Sequence, residues 1–138
     1  MAQKGEMTKD PGNRVLAKNR KARFNFAIEE TMECGIELKG TEVKSMKAGR
    51  FSFSDAYARI TDDEVFLIGF HISPYEQGNI YNHDPDRNRK LLLHKQEIKR
   101  LRRKVDERGY TLVPTIFYLT RGIVKVELGL GKGKRVVD

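Results

Sequence analysis

The sequence has no tryptophan and only one cysteine among its 138 residues. A single cysteine cannot form an intrachain disulfide and supplies too few thiolates for a metal cluster. Cys34 lies in an alternating stretch and is interpreted as a half-buried strand residue. No run of residues approaches the roughly 18 apolar residues that a membrane-spanning helix needs. The N-terminus also lacks the apolar stretch of a secretion signal, so we expect a cytoplasmic protein.

Positive charge is abundant and unevenly placed, with a formal net charge of +8. Residues 1–23 hold seven Lys/Arg against two acids, and residues 87–104 hold nine against one. Residues 24–86 between them hold five Lys/Arg against twelve acids. Two basic blocks on an acidic body are typical of a protein that binds a polyanion through one face. A charged surface that only contacts solvent is the alternative interpretation.

Alternating apolar residues predict a fold made mainly of strands. Even-numbered apolar positions from Phe24 to Leu38 indicate one long strand with a bulge at Gly35. Residues 1–18 show little periodicity and are predicted to form a flexible arm. The other predicted elements are a helix from Thr41 to Gly49, a hairpin within 55–70, an irregular loop over 72–89, a helix over 95–108 and a second hairpin within 110–130, with an edge or bulge at Pro114. Because no strand–helix–strand rhythm occurs, we predict an antiparallel barrel of five or six strands with packed helices.

No catalytic or metal site emerges from residue spacing. The glycine-rich stretch at 129–135 lacks the Ser or Thr and the following helix that a phosphate loop requires. His71, His83 and His94 are too far apart for a zinc motif and are expected to be hydrogen-bonding loop or cap residues. A metal-dependent nuclease that uses Glu29, Glu30 and Glu33 is the alternative. We therefore expect no enzyme activity, no cofactor and no metal.

Several blocks of the sequence carry a family resemblance. They are EETMECGIELKGTEVKSMKAG at 29–49, HISPYEQGN at 71–79, DPDRNRKLLLHKQEI at 84–98, GYTLVP at 109–114 and KVELGLGKGK at 125–134. Together they resemble the small protein B family, the SsrA-binding proteins of bacterial trans-translation, in family order across 19–138. The resemblance implies a six-stranded, oligonucleotide-binding-like β-barrel with two to three flanking α-helices, forming one RNA-binding domain over 19–138.

The resemblance also implies partners. The family binds the transfer-like domain of transfer-messenger RNA (tmRNA, or SsrA RNA) and helps to load it onto stalled ribosomes. It implies tmRNA and the decoding region of the stalled small ribosomal subunit as partners, with elongation factor Tu as a candidate member of the delivery complex and no membrane partner. Family members continue beyond the residue that matches Asp138 with a basic tail. This sequence stops at Asp138 and lacks that tail. We therefore expect this chain to bind RNA without supporting peptide tagging.

The predicted RNA-binding residues come from two sources. The family's positions fall on Asn19, Glu33, Leu92 and Lys125. We add six cations of the basic blocks as phosphate contacts: Arg20, Lys21, Arg23, Arg87, Arg89 and Lys90. Glu33 could instead be an ordinary surface charge, and Leu92 a core residue whose loss deforms the site. A ribosome-associated structural protein with the same barrel is the alternative function.

Overall fold

The structure is a computed structural model that describes residues 13–76 and 82–134. The helices in these ranges are α1 (Arg20–Asn25), α2 (Gly40–Lys47) and α3 (Lys95–Arg108). The strands are β1 (Asn13–Lys18), β2 (Phe26–Ile36), β3 (Phe51–Ser52), β4 (Tyr57–Thr61), β5 (Glu64–Ile68), β6 (His71–Ile72), β7 (Arg89–Leu92), β8 (Thr111–Thr120) and β9 (Ile123–Gly133).

Six of these strands close into an antiparallel ring. The order is β8-β4-β5-β7-β2-β9, and β9 pairs again with β8. One edge of the long strand β8 pairs with β9, while its other edge pairs first with β4 and then with β1. Closure satisfies the backbone hydrogen bonds that an open sheet would leave at its edges. The predicted six-stranded barrel with two to three helices is confirmed.

The barrel interior is filled by the inward side of each strand. Val65, Leu67, Phe117, Val126 and Leu128 are fully buried. An aromatic cluster that includes Phe51, Phe53, Phe70 and Phe117 fills part of this interior. Helix α3 contributes Ile98 and Leu101 to the same core, with Val105 packed against it. These three residues recur at i, i+3 and i+7, which is the spacing of a helix with one apolar side.

A helix end, a bulge and a hairpin also lie where the sequence predicts them. Helix α3 has the predicted bounds, and Gly109 ends it in the left-handed conformation with φ of 72°. The register of β8 on β9 shifts between Pro114 and Ile116, which is the bulge expected of a residue that has no amide hydrogen. The hairpin predicted within 55–70 is formed by β4 and β5, which are joined at Asp62 and Asp63.

Three local predictions need correction. Residues 13–18 of the predicted arm form β1 on the edge of β8, while residues 1–12 lie outside the described residues. Phe24 belongs to α1 and not to the long strand, which begins at Phe26. The bulge in β2 falls between Ile28 and Glu30 and not at Gly35. Of the predicted loop over 72–89, residues 77–81 also lie outside the described residues.

Candidate nucleic-acid interface

Strand register brings three of the family positions together. Gly35 of β2 pairs with Leu92 of β7 on one side and with Lys125 of β9 on the other. Glu33 lies two residues before Gly35, so its side chain lies on the same side of the sheet. Glu33, Leu92 and Lys125 are thus neighbours on the outer surface of the barrel, although they are far apart in sequence.

These residues line a groove with a volume of about 580 Å³. Its walls are formed by Met32, Glu33, Gly35, Leu92, Leu93, His94, Glu97 and Lys125. The Leu92 side chain is 46% exposed, so it presents an apolar surface to the groove. A Cβ atom at Gly35 would lie 3.3 Å from Leu92 Cβ and Cδ1, tighter than most packing contacts. Glycine at this position therefore allows Leu92 to lie across β2 and to form one side of the groove.

Glu33 is held in place by Tyr118. The Tyr118 hydroxyl donates to Glu33 Oε2 at 2.6 Å, and Tyr118 pairs with Lys125 in the β8–β9 ladder. Tyr118 is 1% exposed. Burial first, and then the hydrogen bond to Glu33, raise the pKa of the Tyr118 hydroxyl, so it stays a donor at neutral pH. The groove therefore presents an oriented carboxylate beside the Lys125 ammonium.

Helix α1 carries three further cations, and Arg23 is the one connected to the groove. Arg23 Nη2 donates to Glu127 Oε2 at 3.4 Å, and the Thr115 hydroxyl donates to the same oxygen. Glu127 pairs with Glu33 in the β2–β9 ladder, so Arg23 lies next to the groove. Lys21 forms an exposed ion pair with Asp55 at 3.1 Å, and Arg20 is exposed.

Asn19 positions this helix from a buried site. The side chain is 3% exposed. Its Oδ1 accepts from the Ala22 amide at 3.0 Å, and its Nδ2 donates to the Pro114 carbonyl at 2.8 Å. Because both ends of the amide are hydrogen-bonded within the protein, Asn19 holds α1 in place, and its direct contact with RNA stays a prediction.

Arg89 is also buried, which contradicts its prediction as a phosphate contact. It lies on the inward side of β7, as Leu91 does, and is 0% exposed. Its Nε donates to Glu42 Oε2 at 2.8 Å, while its terminal nitrogens donate to four backbone carbonyls. Arg87 donates to both Glu42 oxygens and keeps about a quarter of its side chain exposed. The physical reason is that a buried carboxylate must be paired, and these two guanidiniums pair it.

Lys90 remains available on the outer surface. Strand alternation places it on the same side of β7 as Leu92. It forms an ion pair with Glu64 at 2.8 Å, and both side chains are substantially exposed. We call Arg20, Lys21, Arg23, Glu33, Lys90, Leu92 and Lys125 the candidate face.

The sequence did not reveal three residues that shape the candidate face. Tyr118 lies within an apolar run, and its partner comes from a strand 85 residues away, so no local signal points to it. The sequence pattern predicts a bulge at Gly35, but this glycine packs closely against Leu92. The alternating pattern predicts Phe24 in the long strand, but it lies exposed on α1 among cations.

The histidines and acidic residues have structural partners. His83 is hydrogen-bonded to Thr41 and to the Ile72 carbonyl, and His71 to Asp86. His94 is the residue that caps α3. Within ranges 13–76 and 82–134, no group of three or more His, Cys, Asp or Glu residues could hold a metal ion. None of the helices in those ranges is long and apolar enough to cross a membrane.

Comparison with known proteins connects this geometry to a family. Residues 16–138 match the SmpB protein family. The SsrA-binding protein of Treponema denticola is 59% identical over 125 residues, which cover 91% of this chain and 81% of that protein. The SsrA-binding protein of Alkaliphilus oremlandii is 57% identical over 127 residues, with coverage of 92% and 82%.

A solved structure that is similar to this chain points to the same family as the two relatives. It is described as "tmRNA-SmpB: a journey to the center of the bacterial ribosome". Its chain is 50% identical, covers 90% of this chain and 87% of its own length, and superposes with a TM-score of 0.72. The fold, the sequence blocks and the relatives agree, and the chain belongs to the SmpB family.

Proposed function

We propose that this chain binds the transfer-like domain of tmRNA and helps to deliver that RNA to stalled ribosomes for trans-translation. The observation that carries the proposal is the convergence of Glu33, Leu92 and Lys125 in one groove. Family membership supports the same role, since the relatives are SsrA-binding proteins.

Each groove residue offers RNA a different kind of contact. Lys125 supplies a point charge for a phosphate. Leu92 offers an exposed apolar surface to a sugar or to a base. Glu33 repels phosphate, but its oriented carboxylate can accept a hydrogen bond from a 2′-hydroxyl or a base amino group. The combination fits folded RNA better than it fits a featureless polyanion.

The cations around the groove supply attraction without sequence preference. Arg20, Lys21 and Arg23 approach from α1, and Lys90 from β7. Exposed ion pairs such as Lys21–Asp55 are weak, so a phosphate can replace the carboxylate at little cost. We propose that the domain over residues 19–138 uses these cations to dock RNA and the groove to recognise it.

The proposed role specifies where the RNA is delivered and which partners take part. Delivery would take place in the cytoplasm, at the decoding region of the stalled small subunit, with elongation factor Tu as a third member of the complex. It is a binding role and includes no reaction catalysed by this chain. Labelled RNA incubated with the protein and magnesium should therefore remain intact, and cleavage would point to a nuclease.

A competition experiment tests the proposal directly. Labelled transfer-like domain of tmRNA is bound to the protein at physiological salt, and unlabelled tmRNA, an ordinary transfer RNA or a ribosomal RNA fragment is added. We expect tmRNA to displace the label at much lower concentration than the other two. Equal displacement by all three would overturn the proposal, and preference for the ribosomal fragment would favour a structural ribosomal protein.

A further inference from the structure

Phe24 is the most exposed large apolar side chain in the described part of the chain. It is 76% exposed, compared with 60% for Ile123 and 46% for Leu92. Ala22 is the buried residue of α1. Successive residues of an α-helix are about 100° apart, so Phe24 points roughly opposite to Ala22 and away from the barrel.

A single exposed apolar residue is ordinary in a soluble protein, and the neighbours of Phe24 are what point to a ligand. Arg20 precedes Phe24 by four residues and therefore lies on the same side of the helix. Lys21 and Arg23 pair with Asp55 and Glu127. Within the described residues, Arg20 has no such partner. The outward side of α1 thus carries one phenyl ring and one available guanidinium.

This pair of side chains matches the chemistry of an unpaired nucleotide. Aromatic rings stack on splayed-out bases, and arginine binds the phosphate of the same or the adjacent nucleotide. A docked protein segment would need a continuous apolar patch. Phe24 is surrounded instead by positive charge, which favours RNA as the occupant.

The position of α1 relative to the groove supports the same ligand. Arg23, adjacent to Phe24, donates to Glu127, and Glu127 lies opposite Glu33 in the ladder. A strand of RNA that enters the groove can therefore pass along α1 without leaving the surface of the protein.

We infer that Phe24 and Arg20 form a stacking subsite for one unpaired base of the bound RNA. The inference rests on the proposed function and adds a specific contact to it. The cations of the candidate face attract any RNA, whereas this subsite requires a base that is free to leave its stack. It therefore contributes to the choice of RNA as well as to affinity.

The test compares Phe24→Ala, Phe24→Leu and Phe24→Trp in titrations with the labelled transfer-like domain. Loss of one stacked base corresponds to about 5- to 150-fold weaker binding. We expect this loss for Phe24→Ala, most of it for Phe24→Leu, and near-normal binding for Phe24→Trp. Ile123→Ala is the matched control, because Ile123 is also exposed and lies outside the groove; it should bind like the wild type.

A second arm uses RNAs in which unpaired nucleotides are replaced one at a time by abasic sites. One replacement should weaken binding by the wild type but not by Phe24→Ala. Wild-type affinity of Phe24→Ala, or full recovery with Phe24→Leu, would overturn the inference. If the wild type itself showed no preference for tmRNA, the proposed function would fail instead, so the two failures are distinguishable. Because Phe24 is exposed, unfolding curves of all variants should coincide.

Discussion

Two tyrosines donate their hydroxyls to glutamates of the same strand, β2. Tyr118 donates to Glu33 at 2.6 Å, and Tyr110 donates to Glu29 at 2.7 Å. Both rings are buried. Of these two glutamates, Glu33 lines the groove and Glu29 does not. The Tyr110–Glu29 pair is therefore a control for the effect of the Tyr118–Glu33 hydrogen bond on RNA binding.

We predict that Tyr118→Phe weakens binding of the transfer-like domain by about 5- to 10-fold, because Glu33 loses the donor that orients it. Tyr110→Phe should bind within about twofold of the wild type. Both variants should lose about 1–2 kcal/mol of unfolding free energy, since each removes a hydrogen bond to a carboxylate. Binding titrations and urea unfolding measure the two quantities. Equal effects of both variants on RNA affinity would contradict the positioning role of Tyr118.

A double-mutant cycle combines Tyr118→Phe with Glu33→Gln and compares the RNA affinities of the variants. It shows whether Tyr118→Phe weakens binding through the orientation of Glu33 or through general destabilisation of the fold. If Tyr118 acts through Glu33, the double variant should bind little worse than Glu33→Gln alone. Tyr110→Phe combined with Glu33→Gln should instead show additive losses. Additive losses for Tyr118 would mean that it acts by another route.

Glu42 shows what charge counting along a sequence cannot detect. It is fully buried between Arg87 and Arg89, with the Lys39 amide donating to it at 2.7 Å. Burial alone would raise the pKa of this carboxyl. Hydrogen bonds from Arg87, from the Lys39 amide and from Arg89 outweigh burial and hold the pKa below its usual value. Two of the predicted phosphate contacts, Arg87 and Arg89, thus already pair with Glu42 inside the protein.

The lowered pKa of Glu42 predicts a pH dependence of stability. The unfolded chain binds a proton at Glu42 more readily than the folded chain does, so stability rises with pH in that window. This contribution is present above about pH 4 and is lost as pH falls through the lowered pKa of the folded state. Glu42→Gln should be several kcal/mol less stable at pH 7 and should lose less on acidification. Urea unfolding between pH 7 and pH 3 tests this, and parallel curves for the two proteins would refute it.

Among the elements, α1 departs furthest from its local sequence pattern. Phe24, Phe26 and Ile28 alternate as a strand does, yet the chain is helical until Asn25. The helix is held by contacts that a local pattern does not contain. Asn19 binds the Pro114 carbonyl, 95 residues away, and Lys134 binds the Asn25 carbonyl. Tertiary contacts decide such short segments against their own periodicity.

We predict that Asn19→Ala lowers both stability and the electrostatic part of RNA binding. Loss of the cap and of the Pro114 hydrogen bond should cost about 2–3 kcal/mol of unfolding free energy. Because the cations of α1 lose their fixed position, the salt dependence of binding should become shallower, although asparagine carries no charge. Titrations at several salt concentrations measure this slope.

Ser45→Ala is a suitable control for the Asn19 variant. Ser45 lies on α2, away from α1, and the substitution removes its hydrogen bond to the Ser73 carbonyl. It should destabilise the protein without changing the salt slope. If both variants changed the slope alike, general destabilisation would be the cause, and Asn19 would have no specific role in placing α1.

At the scale of the whole molecule, the sequence predicted the barrel better than it predicted the candidate face. Alternation, hairpin turns and the stripe of α3 are local signals, and ring closure follows from enough strands of that kind. The groove depends on which strands become neighbours. Register places Leu92, Gly35 and Lys125 in one row, and only pairing between distant strands creates that row. The family resemblance supplied Glu33, Leu92 and Lys125, which neither charge nor periodicity would have singled out.

The ring also provides a cation outside the candidate face, which allows the two positions to be compared for charge. In the order β8-β4-β5-β7-β2-β9, β4 lies three strands from β2 in either direction. Arg59 is exposed on β4, three strands from β2. It pairs with Phe66 of β5, which pairs with Lys90 of β7, so Arg59 lies just beyond the Lys90 edge of the candidate face. If RNA docks on the candidate face only, loss of a charge inside this face and loss of a charge outside it must have unequal effects on binding.

We predict that Arg20→Gln, Lys90→Gln and Lys125→Gln each lower the salt slope of RNA binding by about one unit, whereas Arg59→Gln leaves it unchanged. Each phosphate contact releases condensed counterions, which contribute about 0.7–0.9 to the slope. Sequence preference among RNAs should change little for Arg20 and Lys90, because these cations lie outside the groove. Affinity measured between about 50 and 200 mM salt gives the slopes directly. A slope reduced as much by Arg59→Gln as by the other three would mean that the RNA contact extends across β5 to β4, and the proposed limit of the candidate face would have to be abandoned.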